Sequence, residues 1–213
     1  MPSEAVDRRI LGRLTSINVR KVVWAADELG LSYVREDWGL PLRDPNTPEF
    51  LALNPNALVP VLVETGLVLW ESHPIMRYLA EEGGAVPLLP ADRRERAHME
   101  QWLAWQQAEL SPTWLYAFLA YGRPTPGYDD PAQIAASIGR WSRKMAILEG
   151  GLSDGRPFIN GEAISIADMA LGVAVHRWVS TPFSKPPLPF VDAYYARLQA
   201  RPAAAPYLTP KTP

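Results

Sequence analysis

Glu71 and Ser72 stand side by side just before a helical pattern, and Thr15, Ser16 and Asn18 cluster just before another. A helix N-terminus presents unpaired backbone amides and a positive dipole end, so it receives anions. An acid and a hydroxyl at such a place suit a zwitterionic α-amino acid head group. The amides and the hydroxyl take the carboxylate, and Glu71 takes the ammonium. In "LTSINVRK", Leu14 to Lys21, donor side chains at a helix start would stabilise a different anion. A thiol with an ordinary pKa of about 8.5 falls at such a site. A hydroxyl that donates to the sulfur favours the thiolate over the thiol. Both clusters also have a structural use. Ser72 can be an N-cap with Pro74 in the first turn, and Thr15, Ser16 or Asn18 can cap the first helix.

The chain brings no sulfur nucleophile of its own. None of its 213 residues is cysteine, which removes disulfides, thiolate metal sites and a cysteine nucleophile. Thiolate chemistry here requires a ligand that carries the sulfur. The three histidines, His73, His98 and His176, show no HxxxH or HExxH spacing, so no metal site is expected. Charged residues are 21% with a net charge of -2, and no basic stripe points to nucleic acid. Apolar runs stop well short of the ~20 residues a membrane helix needs. The opening "MPSEAVDRRI" has no signal-peptide core, so a cytoplasmic location is expected.

The run Val59 to Pro74, "VPVLVETGLVLWESHP", joins these features. Two apolar stretches around Thr65-Gly66 read as a β-hairpin. The first opens on Pro60, which cannot donate to a ladder. A cis Val59–Pro60 bond would swing the Val59 amide and carbonyl outward, ready to pair with an extended peptide. Most X–Pro bonds are trans, so the residues alone leave an ordinary strand start open.

The remaining motifs read as structure. Ser165 and Asp168, in "SIADMALGVAV", form a capping box ahead of a buried helix. Trp102, Trp105, Trp114, Tyr116, Phe118 and Tyr121 follow a long helical pattern, and Trp178 ends another. At that spacing aromatics are core. Those near Pro112 are also candidates for an apolar pocket between domains.

The elements that must position these residues divide the chain. Residues 8–12 form a short edge strand, 19–29 a helix stopped by Gly30, and 31–37 a second strand. A loop carrying a short helix near 48–52 follows, then the hairpin, then a helix from Ser72 to Glu82. The order β-α-β-(loop/α)-β-β-α makes a small mixed sheet with helices packed on it. Residues 85–92 are a linker. Beyond it lie only helical patterns: 93–121, kinked or divided at Pro112, then 132–152, 165–180 and 190–200. The expected architecture is an α/β domain over residues 1–84 and an all-α domain over 93–213.

In this order, "NPNALVPVL", "LWESHPIMRYLAEE" and "FINGEAISIADMALG" resemble the soluble glutathione S-transferases over nearly the whole chain. "GRLTSINVRKVVWAADELGL" and "EQWLAWQQAELSPTWLYAF" resemble a bacterial, theta-like group whose activating residue is Ser or Thr. The resemblance implies a thioredoxin-like N-terminal domain, an all-α C-terminal domain and a cytoplasmic detoxification enzyme. It implies glutathione as co-substrate, a small apolar electrophile as second substrate and a homodimer, with no metal, nucleic acid or membrane. Val59, beside a cis Pro60, would pair with the cysteinyl unit, and Glu71 and Ser72 would hold the γ-glutamyl head group. Ser16 would donate to the sulfur, with Asn18 near the thiol and Thr15 as a substitute. Trp114, Phe118 and Trp178 would line the electrophile pocket. Ala57 and Leu58 depart from the pattern, since many members have glycine and lysine there. The lost lysine removes one partner of the glycyl carboxylate. Two other activities fit the same residues: glutathione-dependent disulfide or peroxide reduction, and a non-enzymatic binding role.

Overall fold

The computed structural model describes residues 7–209, so most of the segment read for a signal peptide, and the last residues of the proline-bearing tail, lie outside the described residues. The chain forms two compact units, Met1–Leu89 and Pro90–Pro213.

The first unit is a thioredoxin-like layer of sheet and helix. Its strands are β1 (Arg9–Leu11), β2 (Val34–Glu36), β3 (Val61–Glu64) and β4 (Leu67–Trp70), and its helices are α1 (Ile17–Leu29), α2 (Pro48–Leu51) and α3 (Ser72–Glu82). The sheet order is β2-β1-β3-β4. β1 pairs in parallel with β2 and antiparallel with β3, and β3 pairs antiparallel with β4. β1 is therefore an inner strand, not the edge its polar flank suggested. Its arginines are accommodated by acids: Arg8 pairs with Glu64 and Glu82, and Arg9 with Glu36. Ile10 and Leu11 are fully buried.

Punctuation in the sequence sets the boundaries. Gly30 adopts the left-handed conformation, and the Leu31 amide reaches back to the Ala26 carbonyl, which closes α1. Thr47 caps α2 through the Phe50 amide, with Pro48 in the first turn. The hairpin turns on Thr65-Gly66, with Glu64 opposite Leu67. α1 packs on α3. Leu11, Trp38, Phe50 and Val61 form a core cluster on which Leu53, Val59 and Val63 pack.

The second unit is helical: α4 (Arg93–Trp105), α5 (Ser111–Ala117), α6 (Pro131–Gly151), α7 (Ile166–Ser180), α8 (Pro189–Gln199) and α9 (Ala205–Leu208). The long pattern beginning at Arg93 is divided, as Pro112 suggested, but by widened turns. π-helical segments Gln106–Leu110 and Phe118–Gly122 flank α5, which carries Pro112 in its first turn. Proline lacks the amide an α-helical turn needs there, and the backbone widens one turn earlier. A 3-10 turn, Pro202–Ala204, and α9 follow, beyond the last helix that periodicity predicts.

α7 is buried along almost its entire length and packs against α4 and α8. The capping box forms at its start. Asp168, fully buried, accepts hydrogen bonds from the Ser165 amide and hydroxyl, the Ile159 amide and the Tyr194 hydroxyl. These bonds hold the helix start, as the sequence implies. Burial nevertheless pushes the Asp168 carboxyl above its ordinary range, against the pull of its donors.

Candidate functional site

The site is assembled at the end of β1 and the starts of β3, α1 and α3. Gly12 follows β1, where the chain turns toward α1. A Cβ there would lie 2.3 Å from Val19 Cγ2 and 3.2 Å from Val59 Cβ. Only a glycine lets the β1–α1 turn lie this close to Val59. The Gly12 amide donates to the Glu36 carbonyl, and its carbonyl accepts from Arg35. The turn is closed by the Ser16 amide on the Arg13 carbonyl, and Arg20 reaches back to the Leu14 carbonyl.

The three candidate activators differ in how they are engaged. Ser16 is the N-cap residue of α1, with extended backbone, yet its side chain makes no capping hydrogen bond. The Thr15 hydroxyl accepts from the Arg13 guanidinium. Asn18, in the first turn of α1, faces a small recess.

That recess has a volume of about 40 Å³ and is lined by Asn18, Asn54, Leu58, Val59, Pro60, Glu71 and Ser72. The Val59–Pro60 bond is cis, as the resemblance implies, and a second cis bond, Leu40–Pro41, lies in the loop before α2. The ladder of β3 with both neighbours ends at Val61, opposite Leu11 and Trp70. Val59 is therefore off the sheet, with its backbone outside the ladder.

Glu71 joins β4 to α3 with φ 75° and ψ 122°. This left-handed φ is costly for a residue with a side chain, and such outliers concentrate at ligand sites. Ser72 is the first helical residue and Glu71 occupies the cap position, one residue earlier than a Ser72 cap would have it. The sharp turn at Glu71 lets the helix start directly at the strand end. Glu71 is exposed, whereas Ser72 is buried. Ser72 and His73 stand where helix amides lack intrahelical partners, and Pro74 has no amide to satisfy. Lys21 of α1 and His73 of α3 meet at 3.2 Å, Nζ to Nε2, in a buried position, and tie the two helices together.

Asn54 was not singled out by the sequence as a site residue. It is buried, donates through Nδ2 to the Leu58 carbonyl at 2.8 Å, and accepts the Asn56 amide and side chain through Oδ1. It thereby shapes the loop that delivers Val59. The Asn-Pro-Asn turn signal was its available trace. Leu58, where a lysine was expected, is 62% exposed and contributes no charge.

Trp114, Phe118 and Trp178 lie in the interior of the helical unit, 3–4% exposed. Trp114 and Trp178 pack on Trp141, Trp178 also meets Phe183, and the Arg177 guanidinium sits 4.0 Å above the Phe118 ring. In this structure they are packing residues of that unit.

Among the described residues, no group of three or more His, Asp or Glu side chains is arranged to hold a metal, and no helix is long and apolar enough to cross a membrane.

The chain matches the family model for the glutathione S-transferase N-terminal domain over residues 15–82, and that for the C-terminal domain over residues 131–197. It is 32% identical over 194 residues to glutathione S-transferase GstB of Escherichia coli, covering 90% of this chain and 93% of that protein. It is also 32% identical over 166 residues to disulfide-bond oxidoreductase YfcG of Escherichia coli, covering 73% and 74%. Among solved structures, a theta class glutathione S-transferase from Xanthomonas axonopodis pv. citri, crystallised with glutathione bound, matches with a TM-score of 0.90 and 34% identity. The match covers 97% of this chain and 99% of that one. The fold, the order of the motifs and these matches agree: the chain belongs to the glutathione S-transferase family.

Proposed function

We propose that the chain binds glutathione at the Val59–Ser72 recess and transfers its thiolate to a small apolar electrophile. The observation that carries this reading is the meeting of Asn18, Val59, Pro60, Glu71 and Ser72 in one recess. At about 40 Å³ it is small. It therefore suits the end of a head group, with the rest of the peptide along the open edge. Ser72 and the α3 amides would receive the γ-glutamyl carboxylate, and Glu71 its ammonium. The backbone of Val59, off the ladder, would pair with the cysteinyl unit.

The sulfur would then fall to the α1 start. Ser16 is favoured over Thr15, because it is the N-cap residue beside the free amides of α1 and its hydroxyl caps nothing. A hydroxyl donor and the helix start favour the thiolate. The thiol gives up its proton to solvent, the sulfur lone pair forms the new C–S bond, and the leaving group departs with its electron pair. A homodimer in the cytoplasm completes the reading, on family likeness.

A second reaction on the same residues is glutathione-dependent disulfide reduction. The likeness to YfcG, named as a disulfide-bond oxidoreductase, and the place of Asn18 in the recess favour it. A panel with glutathione and an aryl halide, an organic peroxide or a mixed disulfide separates the two. Turnover of the aryl halide supports conjugation. Turnover of the disulfide alone replaces it with reduction.

A further inference from the structure

We propose that the helical unit carries a second ligand site, a recess for a small aromatic organic cation, between the end of α5 and the start of α6. The recess has a volume of about 500 Å³ and is lined by Tyr121, Pro124, Pro126, Tyr128, Asp129 and Ile134, among others. That volume lies within the ~300–1,000 Å³ of small-molecule sites.

The site is preformed. The π-helical turn Phe118–Gly122 ends at its wall. From there the Arg123 amide bonds the Phe118 carbonyl and the Thr125 amide bonds the Leu119 carbonyl. The Thr125 hydroxyl donates to the Arg123 carbonyl at 2.7 Å. Farther along, the Tyr116 hydroxyl meets the Gly127 carbonyl and the Asp130 amide. Pro124 and Pro126 fix φ on either side of Thr125, so a ligand orders little backbone on binding.

The lining selects charge. Asp129 is the one charged side chain among the lining residues, and among the described residues no hydrogen bond or ion pair occupies it. The neighbouring Arg123 is not part of the lining, and its guanidinium lies 5.2 Å from the Phe118 ring. Asp130, next in sequence, is committed to capping α6 through the Ala132 amide. Two tyrosines belong to the lining: Tyr121 is 42% exposed, and the Tyr128 ring packs on Tyr116 with centroids 5.0 Å apart. Aromatic faces, an apolar floor and a single unpaired carboxylate are the elements of organic-cation recognition. The recess at Glu71 carries amides and a hydroxyl, Asn18, Asn54 and Ser72, whereas this one carries tyrosines and prolines, so the two are chemically distinct.

The test is fluorescence titration of the full chain, without glutathione, with the planar cation thioflavin T and with the anion anilinonaphthalene sulfonate. Saturable binding of the cation, weaker binding of the anion and a decline with added salt are expected. Asp129→Asn should weaken cation binding about three-fold and Tyr121→Ala about five-fold, the scale of exposed charge pairs and cation–π contacts. Glu162→Gln, an equal charge change at another exposed carboxylate of this unit, should leave it unchanged. All three side chains are exposed, so thermal melts should coincide with that of the parent chain. Absent saturation, equal affinity for the anion, or equal loss in Glu162→Gln and Asp129→Asn overturns the proposal. Because glutathione is absent throughout, failure here leaves the reading of the Glu71 site untouched.

Discussion

The Asn54 side chain donates to the Leu58 carbonyl at 2.8 Å, and this bond holds the loop that carries Val59 into the recess. Asn54→Ala leaves that carbonyl and the Asn56 amide without their partner in a buried loop. A loss of about 1–3 kcal/mol of stability is expected, the cost of orphaned buried polar groups. The informative comparison is Asn54→Asp, which keeps the acceptor for Asn56 and loses the donor to Leu58. Glutathione affinity should fall in both variants. Denaturant melts together with titrations read both effects, and Asn54→Asp, which sets a buried carboxylate against the Leu58 carbonyl, should lose at least as much stability as Asn54→Ala.

The activator can be assigned by pH. Ser16→Ala should move the pH dependence of conjugation upward, because the thiolate loses a donor. Thr15→Val should leave the profile in place, since Ser16 and not Thr15 is the N-cap residue of α1. A profile that moves in Asn18→Ala and stays in Ser16→Ala would transfer the role to Asn18.

Gly12→Ala should destabilise the first unit. Its Cβ would lie 2.3 Å from Val19 Cγ2, and the added methyl must displace α1 or Val59. Overpacking of this kind costs about 1–3 kcal/mol. A urea melt of the variant should show an earlier midpoint, and unchanged stability would contradict the close approach.

Stability below neutral pH should depend on Glu36. The hydrogen bond from Arg9 holds its carboxyl below the ordinary range, opposed by burial and assisted by Trp38 and Arg43. A folded pKa below the unfolded one means that the unfolded state binds more protons on acidification. The contribution is therefore complete above the unfolded value of about 4.3. It is lost as pH falls through the folded value. Glu36→Gln should be less stable than the parent at pH 7, and the gap should close toward pH 3, as read by denaturant midpoints.

Local signals in the chain announced most of the scaffold. Gly30, Thr47-Pro48, Thr65-Gly66 and the Ser165–Asp168 box act within a turn or two of themselves, so their consequences are visible in sequence. Val59-Pro60 and Glu71-Ser72 were legible as a pair because the hairpin between them sets their separation. Features that depend on distant partners were not. The inner position of β1 follows from acids at Glu36, Glu64 and Glu82 that neutralise its arginines. Asn54 depends on the loop conformation at Ala57, which has φ 53° and is an alanine where a glycine would have signalled it. Trp114, Phe118 and Trp178 follow helical spacing whether they line a ligand or fill a core, and their burial is a property of the folded helices. The widened turns beside α5 likewise leave no mark beyond Pro112.

The central claim is that Glu71 and Ser72 hold the head group of glutathione. Isothermal titration of the parent chain with glutathione tests it most directly, alongside Glu71→Gln and Glu71→Ala. Saturable binding is predicted for the parent, weakened in Glu71→Gln and largely abolished in Glu71→Ala, with melts that show both variants folded. Glutathione binding unchanged in a folded Glu71→Ala would contradict the account.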